Sequence, residues 1–263
     1  MTTSTADSMI SLEIYDGVVE IVLDAPHKLN ALDDRALADL SAAFDDAAKG
    51  SVRALLLRGE GRAFCAGRDI SGVDARDDDA GGYLDGRVRP LLQKIAAFPA
   101  PTFAAAQGAC LGVGLGLLVA TDVVYVADTA KIGSPFANLG ATLDSGGHWL
   151  FTERLGAHRT LDLVYTAELM SGTEAVAGGL FSRSVPAGEL LEFTRRRVHA
   201  VADGATAAFR ESKKLVSAIR DQRLGLWEAL AQENAAQGAL SRTADYAEGF
   251  AAFQQKRKPT FTG

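Results

Sequence analysis

The chain has 263 residues, 48% of them hydrophobic, and a formal net charge of −6 at pH 7. That is enough for a substantial core in one large domain, or in one domain with an appendage. The acidic balance argues against nucleic-acid and membrane-surface binding, which favour basic patches, and Cys65 and Cys110 are too few for a disulfide framework.

The start is Thr- and Ser-rich, with Asp7 and neither a basic n-region nor an apolar h-region, so no signal peptide is expected. The longest apolar stretch, 109–121, is interrupted by Gly112, Gly114 and Gly116 and is shorter than the roughly 20 residues of a membrane span. A soluble, cytoplasmic protein is the expectation.

In chain order, strand-like runs 9–15 and 18–23 alternate in polarity and flank Asp16-Gly17, a strong hairpin signal. Pro26 and Asn30 mark a loop. Asp33-Asp34 then start a helix with Leu37, Leu40, Ala43, Phe44 and Ala47 on one face, ending at Gly50. Run 53–57 reads as a buried strand, and the acidic, glycine-containing loop 74–82 is expected to be mobile. A helix over 83–98 stops at Pro99-Ala100-Pro101. A strand at 102–106, a glycine-rich turn, a helix from Gly112 and a strand at 123–127 follow. Strands alternating with helices predict stacked β/α units. After Gly147 the texture turns helical: 149–155, 158–167, 173–178, 189–203, 206–219, and 224–246 and beyond, with one more strand at 181–185.

The chemistry concentrates in 102–147. Gly108 to Gly116 form a turn of small residues before a helix, where a ligand can approach the backbone and meet unpaired N–H groups. A second glycine turn, Ala63-Phe64-Cys65-Ala66-Gly67-Arg68-Asp69-Ile70, lies upstream, and Asp144 lies downstream in Leu143-Asp144-Ser145-Gly146-Gly147. Two backbone donors and one carboxylate suit the stabilisation of an enolate and the movement of its proton. The spacing at 112–116 lacks the full G-x-G-x-x-G and its downstream acid, so a dinucleotide turn is set aside. Cys65 and Cys110 read as space-filling, His148 as solvent-facing, and Glu153 as a reserve base that nothing local supports.

Four segments carry a resemblance: Asp24-Ala25-Pro26-His27-Lys28-Leu29-Asn30-Ala31-Leu32, Gly61 to Asp69, the turn 108–116 followed by Asp122, and Ala244 to Phe253. In this order and at these separations they resemble the crotonase (enoyl-CoA hydratase/isomerase) superfamily, from about residue 10 to the C-terminus. The resemblance implies an α/β fold, a spiral of ββα units with a C-terminal helical region. Residues 1–190 would form the core carrying the acyl-CoA site, and 191–263 a helical trimerisation region. It also implies trimers or dimers of trimers, a coenzyme A thioester as substrate, and no metal or further cofactor.

By position, the backbone N–H groups of Arg68 and Val113 are the implied oxyanion donors. The Arg68 side chain would point to solvent, and the Val113 isopropyl group would narrow the acyl pocket. Lys28, Ala66, Gly67, Asp69, Ile70, Gly112 and Gly114 would line the substrate, with Phe253 and Lys256 at the nucleotide end of the coenzyme. The two glutamates that hold water in family hydratases fall at Gly116 and Phe136, so usual hydratase chemistry is not expected. Asp144 falls where family isomerases place their aspartate, and its surroundings are similar to the ring-epoxyphenylacetyl-CoA isomerases. The dehalogenase branch also places an aspartate there, but its histidine and tryptophan partners find no match. An enoyl-CoA isomerase is the leading reading. A hydratase, or an acyl-CoA-binding protein without chemistry, are the alternatives.

Overall fold

The hairpin at Asp16-Gly17 joins the first two long strands of the sheet. In the computed structural model, which describes residues 2–3 and 8–263, β1 (Thr2–Thr3) precedes the antiparallel pair β2 (Ile10–Tyr15) and β3 (Val18–Leu23). Met1 and residues 4–7, including Asp7, lie outside the described residues. Asp16 and Gly17 take φ of 48° and 76°, the pair of positive angles that a tight two-residue hairpin requires.

Strand β3 does not alternate as its sequence suggests: all of its residues are buried. It runs inside the sheet between β2 and β4 (Ala54–Gly59), and helices cover both faces. These are α1 (Asp34–Ala48), capped where Ala36 N–H donates to Asp33 Oδ1, and α7 (Leu190–Ala202).

The large sheet continues in parallel through β5 (Thr102–Ala106), β7 (Val123–Ala127) and β10 (Arg183–Val185). The chain leaves it after β5 to start a second, small sheet of β6 (Ala109–Leu111), β8 (Lys131–Gly133) and β9 (Met170–Ser171). That change of sheet between consecutive strands turns the stacked units into a spiral.

The helix expected over 83–98 is three pieces: α2 (Ala80–Tyr83), a π turn at Leu84–Val88, and α3 (Arg89–Ala96). Buried helix α4 (Val113–Ala120) starts at the expected glycine. The runs 149–155 and 158–167 are two helical segments, together α5 (Gly147–Thr166), separated by a kink at non-helical Gly156 (φ 77°, ψ 168°). After α6 (Gly172–Ala177), the tail is α7, α8 (Thr206–Gln222), α9 (Leu226–Leu240) and α10 (Ala244–Gln254). The expected helix 224–246 stops at Leu240 because Thr243 caps a new one, accepting from Tyr246 N–H. The expected division at 190/191 falls at the start of α7, which packs on β3, β4, β5 and β7.

One buried charge ties α7 to the sheet. Glu20, 0% exposed, accepts from Arg195 at 2.6 and 2.8 Å, from Arg58 at 3.0 Å, and from the Tyr15 hydroxyl. Burial alone would raise the Glu20 carboxyl, but the donors Arg195, Tyr15 and Arg58 outweigh it and hold it at about 2.

Candidate active site

Asn30 sets the first loop. It is buried, accepts from Ala25 N–H at 2.8 Å, and donates to the carbonyls of Glu60 and Ala63. The loop after it is sewn to the upstream glycine turn: Leu32 N–H donates to Gly67 O at 2.8 Å and Asp69 N–H to Leu32 O at 2.9 Å. This bridge uses the groups on either side of Arg68, so the Arg68 N–H faces away from it. Cys65 pairs with Cys110 of β6, which brings the two glycine turns together. Gly67 and Gly112 pack so closely that a Cβ on Gly67 would stand 3.7 Å from Gly112 Cα. Gly67 has φ of 99°, and Gly112 has φ 53° with ψ −120°; both conformations strain any residue with a Cβ. Each glycine immediately precedes an expected donor. Val113 is the first residue of α4, where the N–H has no partner within the helix. Among the described residues, neither the Arg68 N–H nor the Val113 N–H meets an acceptor.

Asp144 comes from the turn before α5. Ser145 (φ 53°) and Gly146 (φ 87°) take successive left-handed conformations, and Gly147 N–H closes the turn on Asp144 O at 2.8 Å. A left-handed serine is strained, and such strain gathers at functional sites. The turn sets Ser145 against Gly116 of α4 and half-buries Asp144. Asp144 Oδ1 and Ser145 Oγ are both buried without a hydrogen-bond partner. Burial pushes the Asp144 carboxyl above its ordinary range, while the neighbouring Ser145 hydroxyl and His148 pull the other way. Beside this turn opens a cavity of about 420 Å³, walled by Leu84, Val88, Leu92, Gly116, Val119 and Trp149. Most of its exposed surface is apolar, although Asp85, Arg89, Arg220 and Asp221 also line it.

The other expected site residues divide into two groups. Lys28 bonds Asp69 at 2.9 Å and Asp33 at 3.1 Å, and Asp69 also accepts from the Ser71 N–H and hydroxyl. These side chains brace the turn behind Ala66 and Gly67, while Ile70 is exposed and Gly114 is buried against Cys65. Phe253 and Lys256 do not join this cluster: Phe253 lies in a separate cleft with Tyr246, Phe250 and Phe261, and Lys256 is exposed. Glu153 is held by Arg223 at 2.8 and 2.5 Å, and His148 is exposed. The Cys65 thiol is fully buried and pushed up to about 12, which fits a space-filling role.

The solvent-directed Arg68 side chain is a correction. Its guanidinium forms a two-pronged pair with Asp78 at 2.8 and 2.7 Å and lies 4.0 Å from the Tyr83 ring centroid. The acidic loop, expected to be mobile, is therefore tied through Asp78 to the upstream glycine turn. Tyr83 itself escaped sequence reasoning, because nothing in a lone tyrosine at the start of a helix announces that its hydroxyl is buried.

Among the described residues, no group of histidine, cysteine, aspartate or glutamate side chains could hold a metal ion, and no helix is long and apolar enough to cross a membrane. Residues 13–263 match the enoyl-CoA hydratase/isomerase family. The chain belongs to that family. It is 37% identical over 254 residues to a Rhodobacter capsulatus protein named a probable enoyl-CoA hydratase, covering 97% of this chain and 98% of that one. It is 31% identical over 255 residues to the 1,2-epoxyphenylacetyl-CoA isomerase of Escherichia coli, covering 95% and 97%. The crystal structure of an enoyl-CoA hydratase from Bacillus anthracis matches with a TM-score of 0.88 at 27% identity, covering 97% of this chain and 100% of that one. The fold is thus the crotonase fold with its C-terminal helical region, and both hydratase and isomerase names occur among its relatives.

Proposed function

We propose that this family member is an acyl-CoA isomerase that shifts a C=C bond, or rearranges an epoxyphenylacetyl ring, by moving one proton. Asp144 would take a proton from the carbon next to the thioester, and the charge would pass to the thioester oxygen, held by the N–H groups of Arg68 and Val113. Protonation of the resulting dienolate at the far carbon returns the proton and completes the shift. The substrate is itself the coenzyme A thioester, and the reaction needs no metal or further cofactor. A homotrimer or dimer of trimers in the cytoplasm completes this reading.

The observation that carries it is the pairing of Ser145 with Gly116. A hydratase needs carboxylates to position and split water, and here the two family positions are Gly116 and Phe136. Ser145 leaves no room for a side chain at the first, and the Phe136 ring leans against Gly112 at the second. Asp144 is then the half-buried carboxylate of the turn beside the cavity. Relatives named hydratases favour hydration as the second reading, with Asp144 as its acid or base. A binding protein without chemistry is the third.

Incubation with 3-enoyl-CoA and 2-enoyl-CoA, followed by mass and ultraviolet spectra, separates the three. Isomerisation preserves mass and creates the conjugated chromophore, hydration adds one water, and a binding protein changes neither. Robust hydration of 2-enoyl-CoA at a rate matching isomerisation would overturn the proposal.

A further inference from the structure

Two cavities meet at one partition. The acyl cavity of about 420 Å³ and a second of about 270 Å³ share three lining residues, Val119, Trp149 and Arg220. A side chain that lines two cavities stands between them, so these three form the wall that keeps the spaces apart. They come from three elements. Val119 is on α4, where its Cγ1 would lie 3.3 Å from a Cβ on Gly146. Trp149 is in the first turn of α5, directly after the strained turn at Ser145 and Gly146, and Arg220 is in the last turn of α8.

The wall is fastened by contacts that the proton transfer does not use. The Arg220 guanidinium lies 5.4 Å from the Trp149 ring centroid, within the reach of cation–π attraction. Asp221 holds that guanidinium, accepting from Nε at 2.7 Å and from the terminal nitrogen at 3.0 Å. Arg223, left-handed with φ 55°, ends α8 and pairs with Glu153 of α5 at 2.8 and 2.5 Å. An exposed pair contributes little alone, but here two contacts clasp the same end of α8 to the same stretch of α5. The two sides of the wall differ. The acyl side offers Leu84, Val88 and Leu92, and its remaining ion pair, Asp85 with Arg89, closes on itself at 3.5 Å. On the far side Thr121, Asp122, Arg154 and Ser182 stand among the apolar residues. A hydrocarbon tail that passed Trp149 would strip water from those polar groups, which is costly.

We infer that Trp149 and Arg220 determine acyl length, closing the acyl cavity against the more polar space behind it. This rests on the reading of the first cavity as the acyl pocket and narrows that reading to short or compact acyl groups, which end before the indole. A pocket with a firm end discriminates by the first methylene that does not fit, whereas a chain that stops short never meets the wall.

The test is a length series of straight-chain 3-enoyl-CoA esters, from four to sixteen carbons, with the native, Trp149→Ala, Trp149→Phe and Arg220→Ala proteins. For the native protein kcat/KM should fall by about tenfold or more at the first length that meets the wall, the scale on which a filled pocket resists one further methylene. Trp149→Ala should move that fall to a longer chain, and Trp149→Phe should leave it near the native length. Arg220→Ala should also move it, because the indole loses the group stacked on it. A native profile with no fall would overturn the inference. So would a fall at the native length in Trp149→Ala, or an equal loss at every length, which would make the role structural. Trp149 is 39% exposed, so its truncation removes little of the core, and Tm measured alongside reports any loss of folding. If Trp149→Ala does not fold, Arg220→Ala decides by the same criterion. If the native protein isomerises nothing, the isomerase reading has failed. The dissociation constants of saturated acyl-CoA esters over the same lengths then test the wall by itself: native affinity should break at one length, and Trp149→Ala should shift the break.

Discussion

Ser145 stands over Gly116 so closely that a Cβ on Gly116 would lie 2.6 Å from Ser145 Cβ and 2.9 Å from Ser145 O. The position family hydratases give to a glutamate is therefore closed by the same turn that presents Asp144. Gly116→Glu should not restore water chemistry. It should instead overpack the contact between α4 and the turn, at a cost of about 1–3 kcal/mol or more, and lower the isomerase rate by displacing Asp144. Urea unfolding and product mass measure the two effects. A stable Gly116→Glu protein that hydrates 2-enoyl-CoA would show that the space can be reopened.

Asp144→Asn keeps the shape of the side chain but cannot take a proton. Turnover should fall by about 10²-fold or more, the scale of general-base loss. Stability should not fall with it. Burial makes ionisation of Asp144 costly in the folded protein, so the carboxyl ionises at higher pH folded than unfolded, and a neutral amide removes that cost at neutral pH. The same shift places the acid limb of kcat/KM above the ordinary aspartate range, with activity lost as pH falls through the raised value. A limb at or below the ordinary value would mean that another group is the base.

The glycine turns were legible because backbone geometry is written locally. Gly67 and Gly112 announce positive φ, each directly before a donor, and Asp16-Gly17 announces its hairpin. The small sheet was not legible, since β8 and β9 are too short to show a period. Glu20 was read on an alternating strand, yet an acid inside Val18-Val19-Glu20-Ile21-Val22-Leu23 could have signalled a buried ion pair, because its neighbours on both sides are apolar. Arg68 and Tyr83 share no such local mark. Their stacking, and the pairing of Arg68 with Asp78, exist only after the acidic loop folds back over the first glycine turn.

The expectation for Lys256 concerns the coenzyme end. It follows the cleft where Phe253, 85% exposed, meets Phe250 and Phe261. An adenine nucleotide with phosphates needs an apolar wall and nearby cations, and the chain is otherwise acidic. Lys256→Ala should raise KM for acyl-CoA, most visibly at low salt, with little effect on kcat because phosphates bind alike in ground and transition states. A KM unchanged at every ionic strength would make Lys256 a surface charge.

The last prediction concerns the buried charge joining α7 to the sheet. Glu20 ionises at about 2 in the folded protein, below the ordinary glutamate value of 4.5. A depressed folded value means that the contribution is fully present above the unfolded value and is lost as pH falls from there through about 2. Glu20→Gln should therefore destabilise at neutral pH and flatten the acid side of the stability profile. Removing one partner of a buried pair costs about 3–5 kcal/mol. The lower end applies here, because the Arg195 side chain is 36% exposed and can turn its charge to water, and Arg58 keeps its pair with Glu60 at 2.6 Å. Urea unfolding of both proteins from neutral pH down to about pH 3 measures the difference. A gap that stays constant over that range would mean that the Glu20 charge contributes nothing and that only its packing holds α7 in place.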